Sequence, residues 1–119
     1  MTTVTVFRRH DGAIAGFRAE GHAGRARRGK DIVCSAVSAL TQTAVNALES
    51  VAGVPTEPLV DEDTGLLEVL LPGTLTGKQA SDCQIILRTV VQGLMDIERS
   101  YPGQVRVVTK EMEEKRCFK

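Results

Sequence analysis

Thr3-Val4-Thr5-Val6-Phe7 alternates polar and apolar positions, the period-two signature of a strand with one buried face. His10-Asp11-Gly12 supplies turn chemistry, and Ala13 to Glu20 returns with Ile14, Phe17 and Ala19, so the chain opens with a predicted β-hairpin. From Asp31 to Ala52 the apolar positions 33, 37, 40, 44, 47/48 and 51 advance by threes and fours, which predicts a helix with a single apolar stripe. Asp31 reads as its N-cap and Gly53-Val54-Pro55 as its stop. A second hairpin follows: Leu59-Val60, the turn Asp61-Glu62-Asp63-Thr64-Gly65, then Leu66 to Leu71, whose continuous apolar run predicts a central strand. A second helix is expected from about Lys78 to Ser100 on the stripe 83, 86/87, 90, 94 and 97, ended by Tyr101-Pro102-Gly103, and Gln104 to Thr109 is the last strand.

The predicted order is ββαββαβ. Each helix has one apolar face and follows a hairpin, a pattern satisfied by an α+β two-layer sandwich with both helices on one face of a mostly antiparallel sheet. A single domain is expected over residues 1–109, with 110–119 as a charged C-terminal tail. Between the first hairpin and the first helix, residues 21–30 hold three glycines and four basic residues with no period of either kind, and read as a loop.

Charge and composition narrow the function. Fifteen Lys and Arg balance fifteen Asp and Glu, and four aromatics cannot build a base-stacking platform, so sequence-specific nucleic-acid binding is not expected. No apolar run approaches the ~20 residues of a membrane helix, and Met1 to Arg9 reads as a strand rather than a secretory core, which predicts a cytoplasmic protein without a membrane partner. Three cysteines, at 34, 83 and 117, with no Cys-x-x-Cys pair, do not form a disulfide framework. The glycine spacing fits neither a P-loop nor a dinucleotide fold, and one histidine near one cysteine is too few ligands for zinc, so neither cofactor nor metal is expected.

Cys34 carries the candidate chemistry. It falls at the border of the first apolar stripe and, counted from an Asp31 cap, is the third helical residue, where unpaired N–H groups and the positive end of the dipole favour thiolate over thiol. His22, twelve residues earlier between Gly21 and Ala23, is placed where the second strand opens into the loop, and a Cys-His pair supplies a nucleophile and its proton carrier. Ser38 lies one turn beyond Cys34 on the same side. By position alone Cys34 is better explained as a small core hydrophobe, as Cys83 is outright, while His10 reads as a solvated turn residue and Cys117 as an exposed tail thiol. Arg25, Arg27, Arg28 and Lys30 give the loop a charge of +4, which suits a solvated surface, a neighbour that stabilises a thiolate, or a phosphate anchor.

The run Gly21-His22-Ala23, with Gly29-Lys30-Asp31-Ile32-Val33-Cys34-Ser35-Ala36-Val37-Ser38-Ala39-Leu40, resembles the ribosomal-processing cysteine proteases called Prp. The resemblance implies Cys34 and His22 as catalytic residues and Gly21, Asp31 and Ser38 as their supports. It implies a substrate-covering loop formed by Ala23, Gly24, Arg25, Ala26, Arg27, Arg28, Gly29 and Lys30. The implied reaction removes a short N-terminal extension from the precursor of the large-subunit ribosomal protein numbered twenty-seven, after an aromatic-rich segment, by a homodimeric enzyme. Against a basic ribosomal substrate the +4 loop offers no attraction, whereas the acidic turn Asp61-Glu62-Asp63 does so if it faces the site. The competing expectation is a noncatalytic ribosome- or RNA-associated module that uses the basic loop.

Overall fold

The computed structural model describes residues 1–21 and 28–112, the side chains of 28–31 excepted. The elements are β1 (Thr2–Arg8), β2 (Ile14–Glu20), α1 (Arg28–Ser50), β3 (Leu59–Asp61), β4 (Leu66–Leu70), α2 (Gly77–Ser100) and β5 (Val105–Glu111), in the order the hydrophobic pattern predicts. They build a five-stranded sheet in the order β3-β4-β2-β1-β5. All neighbours pair antiparallel except β1 and β5, which run parallel. A parallel pair requires a crossover, and α2 supplies it.

The alternation in β1 explains which face is covered. Thr2, Val4 and Val6 are buried together with Phe17 and Ala19 of β2, Val69 of β4 and Val105 of β5, whereas Thr3, Thr5, Arg18 and Glu68 point to the opposite, open face. Both helices lie on the buried face, where Val33, Val37, Ala44 and Leu48 of α1 and Cys83, Leu87 and Leu94 of α2 complete one core. Each fully buried aliphatic or aromatic side chain there contributes about 1.5–3 kcal/mol relative to exposure. The helices approach closely at Gly93, where a Cβ would stand 3.0 Å from Leu40 Cδ1. The start of α2 is clasped to the start of β2: the Ile14 N–H donates to Gln84 Oε1 at 2.8 Å, and Gln84 Nε2 donates to the Ile14 carbonyl at 2.8 Å.

Four boundaries differ from the sequence reading. First, α1 begins at Arg28, so Asp31 is not its N-cap but its fourth residue, because Arg28, Gly29 and Lys30 continue the helix toward its N-terminus instead of ending the loop. Second, α1 ends at Ser50, and Val51, expected on the stripe, is 70% exposed. Third, β4 is internal but not central, lying between three-residue β3 and β2, and its Leu70 points to the open face. Fourth, β5 continues through Lys110 and Glu111, where His10 Nδ1 meets Glu111 Oε2 at 3.0 Å across the exposed first turn.

Candidate active site

Cys34 sits on α1 above the beginning of β1. Because α1 starts at Arg28, Cys34 is its seventh residue rather than its third, in the second turn, where the α-helical pattern already uses the backbone N–H. The helix-terminus effect fades beyond the first turn, so the sequence argument from the dipole and free N–H groups does not reach this thiol as expected. A contact the sequence reading missed takes its place. Thr2 Oγ1 lies 3.8 Å from Cys34 Sγ, within hydrogen-bonding reach for sulfur. Thr2 is 1% exposed, and its own N–H donates to the Gln104 carbonyl at 3.1 Å, so the first residue of β1 is fixed from the β5 side while its hydroxyl faces the thiol. Cys34 is half-buried, which leaves the sulfur a route to solvent.

Gly21 brings the end of β2 to the same place. Its φ of +92° is a conformation that L side chains rarely adopt, and a Cβ there would stand 2.7 Å from the Met1 carbonyl oxygen. The chain therefore folds flat against Met1 and Thr2, next to the residue that touches Cys34. His22 itself lies outside the described residues, as do Ala23, Gly24, Arg25, Ala26 and Arg27, the side chain of Asp31, and Cys117. Arg28, Gly29 and Lys30, expected in the loop, form the first turn of α1.

Ser38, one turn beyond Cys34, is half-buried and lines a recess of about 400 Å³ between α1 and the β3–β4 hairpin. Thr41 and Gln42 stand on the same wall, Ala19 and Leu67 line the sheet side, and Val60, Asp61 and Glu62 belong to the hairpin. Asp61 and Glu62 of the acidic turn thus share a recess with Ser38, one helical turn from Cys34. Thr41 is buried and turns its hydroxyl into its own helix, donating to the Val37 carbonyl at 2.9 Å, so it is spent on structure. Cys83 is fully buried on α2, and burial pushes its thiol above the usual value, with the neighbouring Asp82 carboxylate adding to the effect. It is the core residue the sequence reading expects.

Comparison with known proteins identifies the family. Residues 1–106 match the family described as "Cysteine protease Prp". The chain is 37% identical over 111 residues to the "Ribosomal processing cysteine protease Prp" of Bacillus subtilis, covering 92% of this chain and 97% of that one. It superposes with a TM-score of 0.81 and 25% identity on the essential ribosomal processing protease Prp from Staphylococcus aureus in complex with a substrate peptide, over 92% of this chain and all of the other. The same Staphylococcus aureus protease with a covalently linked product peptide gives a TM-score of 0.78 and 26% identity over the same shares.

Proposed function

Because the chain belongs to the cysteine protease Prp family, we propose that Cys34 is its nucleophile and His22 its proton carrier, and that it trims the precursor of a ribosomal protein. The fold and the enzyme class are those of the family: a two-layer α+β cysteine protease. The observation that supports the assignment of Cys34 is its half-buried side chain beside the buried Thr2 hydroxyl, at the end of the sheet where Gly21 packs on Met1 and Thr2; His22 rests on the family resemblance.

His22 accepts the thiol proton and the Cys34 thiolate attacks the scissile carbonyl carbon. As the carbon–nitrogen bond breaks, the proton passes to the departing amine, leaving an acyl-thioester on Cys34. Water, deprotonated by His22, then hydrolyses the thioester, and the acid product leaves the free thiol behind. Gly21 and Ser38 support the site, Gly21 by its backbone conformation and Ser38 from its place one helical turn beyond Cys34. Asp31 is the remaining support, and the covering of the substrate narrows to Ala23–Arg27 once Arg28, Gly29 and Lys30 are assigned to α1.

The substrate that the resemblance favours is the large-subunit ribosomal protein numbered twenty-seven, cleaved in the cytosol by a homodimer. Among the described residues no helix is long and apolar enough to cross a membrane. Incubating the protein with the full-length precursor and weighing the products tests the reading. A single cut that removes the N-terminal extension, lost in Cys34→Ala, is the expected result. An intact precursor, together with tight and salt-sensitive RNA binding, is the result that favours the noncatalytic alternative.

A further inference from the structure

We propose that Thr2 is a positioning residue for the reaction: its buried hydroxyl holds the Cys34 sulfur in both protonation states, accepting from the thiol and donating to the thiolate. The inference rests on the assignment of Cys34 as the nucleophile and adds the group that steadies it.

Packing alone does not call for a hydroxyl at this position. The other fully buried residues of β1 are Val4 and Val6, and valine has the shape of threonine with no polar atom to satisfy. A buried hydroxyl without a partner is destabilising. Among the described residues Thr41 is the other buried polar residue, and it satisfies its hydroxyl inside its own helix by donating to the Val37 carbonyl. Thr2 lies on a strand, where no preceding helical turn offers a carbonyl, and its hydroxyl meets Cys34 Sγ at 3.8 Å instead.

The placement is rigid. A β-branched side chain has few χ1 choices, so fixing the backbone fixes the direction of the hydroxyl. On one flank the Thr2 N–H donates to the Gln104 carbonyl at 3.1 Å and the parallel register sets Thr2 opposite Val105. On the other flank the Gly21 backbone packs so closely that a Cβ there would lie 3.9 Å from Thr2 Cα. Chain on both sides therefore aims one oxygen at one sulfur.

A hydroxyl is donor and acceptor at once, and its hydrogen rotates to suit its neighbour. With Cys34 protonated, the S–H leans on Thr2 Oγ1. Once His22 has taken that proton, the hydroxyl turns and donates to the thiolate, so Thr2 itself gains and loses no proton. Cys34 lies in the second turn of α1, where the backbone N–H groups are already engaged, and the hydroxyl offers the half-buried charge a donor that the helix does not. Hydrogen bonds to charged groups are stronger than those between neutral ones, so the contact tightens as the thiolate forms. Attack by the thiolate and its later release from the thioester both draw on it.

Alkylation of Cys34 by iodoacetamide, mapped by peptide mass, and cleavage of the precursor read the hydroxyl in two independent ways. Thr2→Val keeps the shape of the side chain and slows alkylation at pH 7 by about 2- to 5-fold, a difference lost by pH 10, where thiols are largely ionised and an unbonded thiolate is the stronger nucleophile. In the same variant kcat falls by about 3- to 10-fold with KM unchanged. Thr2→Ser restores both readings. Thr2→Ser compared with Thr2→Ala reads the same hydroxyl in a smaller side chain, which covers the case of a Thr2→Val protein that does not fold. Alkylation slowed equally at pH 7 and pH 10, a loss shared by the valine and serine variants, or no change in the valine variant overturns the role of the hydroxyl and leaves the nucleophile standing. Cleavage of the precursor by Cys34→Ala at the parent's rate overturns the nucleophile assignment and the role of Thr2 together.

Discussion

Cys34 and Cys83 occupy equivalent places and have opposite surroundings. The chain is two ββα halves joined through the antiparallel pairing of β2 with β4, and each cysteine is the seventh residue of its helix. Cys83 is sealed in the core, its thiol held protonated by burial, and the first turn of α2 is closed by a capping box in which Thr76 and Gln79 exchange backbone hydrogen bonds. Such a closed start is worth about 1 kcal/mol and leaves nothing for a ligand to reach. Cys34 is half-buried and has a hydroxyl from β1 beside it, and Ser38, one turn further along its helix, lines a recess. The same register in a helix thus gives two thiols different surroundings, set for Cys34 by what β1 presents to it.

The comparison breaks most visibly by exchanging the fates of the two thiols. Cys34→Ala removes cleavage altogether and leaves the urea midpoint close to that of the parent, because the side chain is only half-buried. Cys83→Ala keeps activity in the folded fraction but costs about 1–2 kcal/mol in urea unfolding through lost burial. Full precursor cleavage by Cys34→Ala would refute the assignment of the nucleophile.

His22→Ala lowers kcat by about 10²-fold or more, with KM little changed, when single turnovers on the precursor are followed by quench and mass analysis. A smaller step comes from Thr2. Thr2→Val keeps the shape of the side chain and removes the hydroxyl, which reduces kcat by about 3- to 10-fold, the value of one hydrogen bond, and Thr2→Ser restores it. If valine matches threonine, the contact contributes packing only.

The smallest effect lies in the pH dependence of stability. The folded Cys83 thiol titrates above its unfolded counterpart, so the native state retains this proton more tightly. That contribution is fully present below the unfolded thiol value of about 8.5 and is lost as pH rises through it toward the raised native value. Urea midpoints measured from pH 7 to 10.5 fall more steeply for the parent than for Cys83→Ala. Parallel curves would show that Cys83 is not the group responsible.

Much of this contrast was legible in the chain. The stripe 83, 86/87, 90 and 94 located Cys83 in the core, and the offset of Cys34 from its own stripe put it at the border, because a 3.6-residue period fixes direction once a helix is assumed. The start of α1 was not legible: Gly and Arg in 21–30 lack apolar period, yet Arg28, Gly29 and Lys30 are helical, and the Asp31 cap that seemed to mark the boundary falls inside. The signal for α2 was present and unused, since Thr76-x-x-Gln79 is a capping-box spacing. Thr2 stayed hidden for a different reason. Its partner is 32 residues away, and only the parallel closure of β5 on β1, which no local pattern encodes, fixes it there.

That closure also sets the order in which the molecule can be completed. Thr2 takes its place against Gln104 and β5, about a hundred positions further along the chain, so it waits for a strand made long after it. At synthesis rates of about 5–20 residues per second the delay is about 5–20 s. During that interval β1 lacks its neighbour on the β5 side and Thr2 lacks the Gln104 contact that fixes it. A chain truncated before Val105 should therefore lack the finished site while still carrying every residue assigned to it. Vectorial synthesis thus acts as a timer, and proteolytic competence is among the last properties the polypeptide acquires.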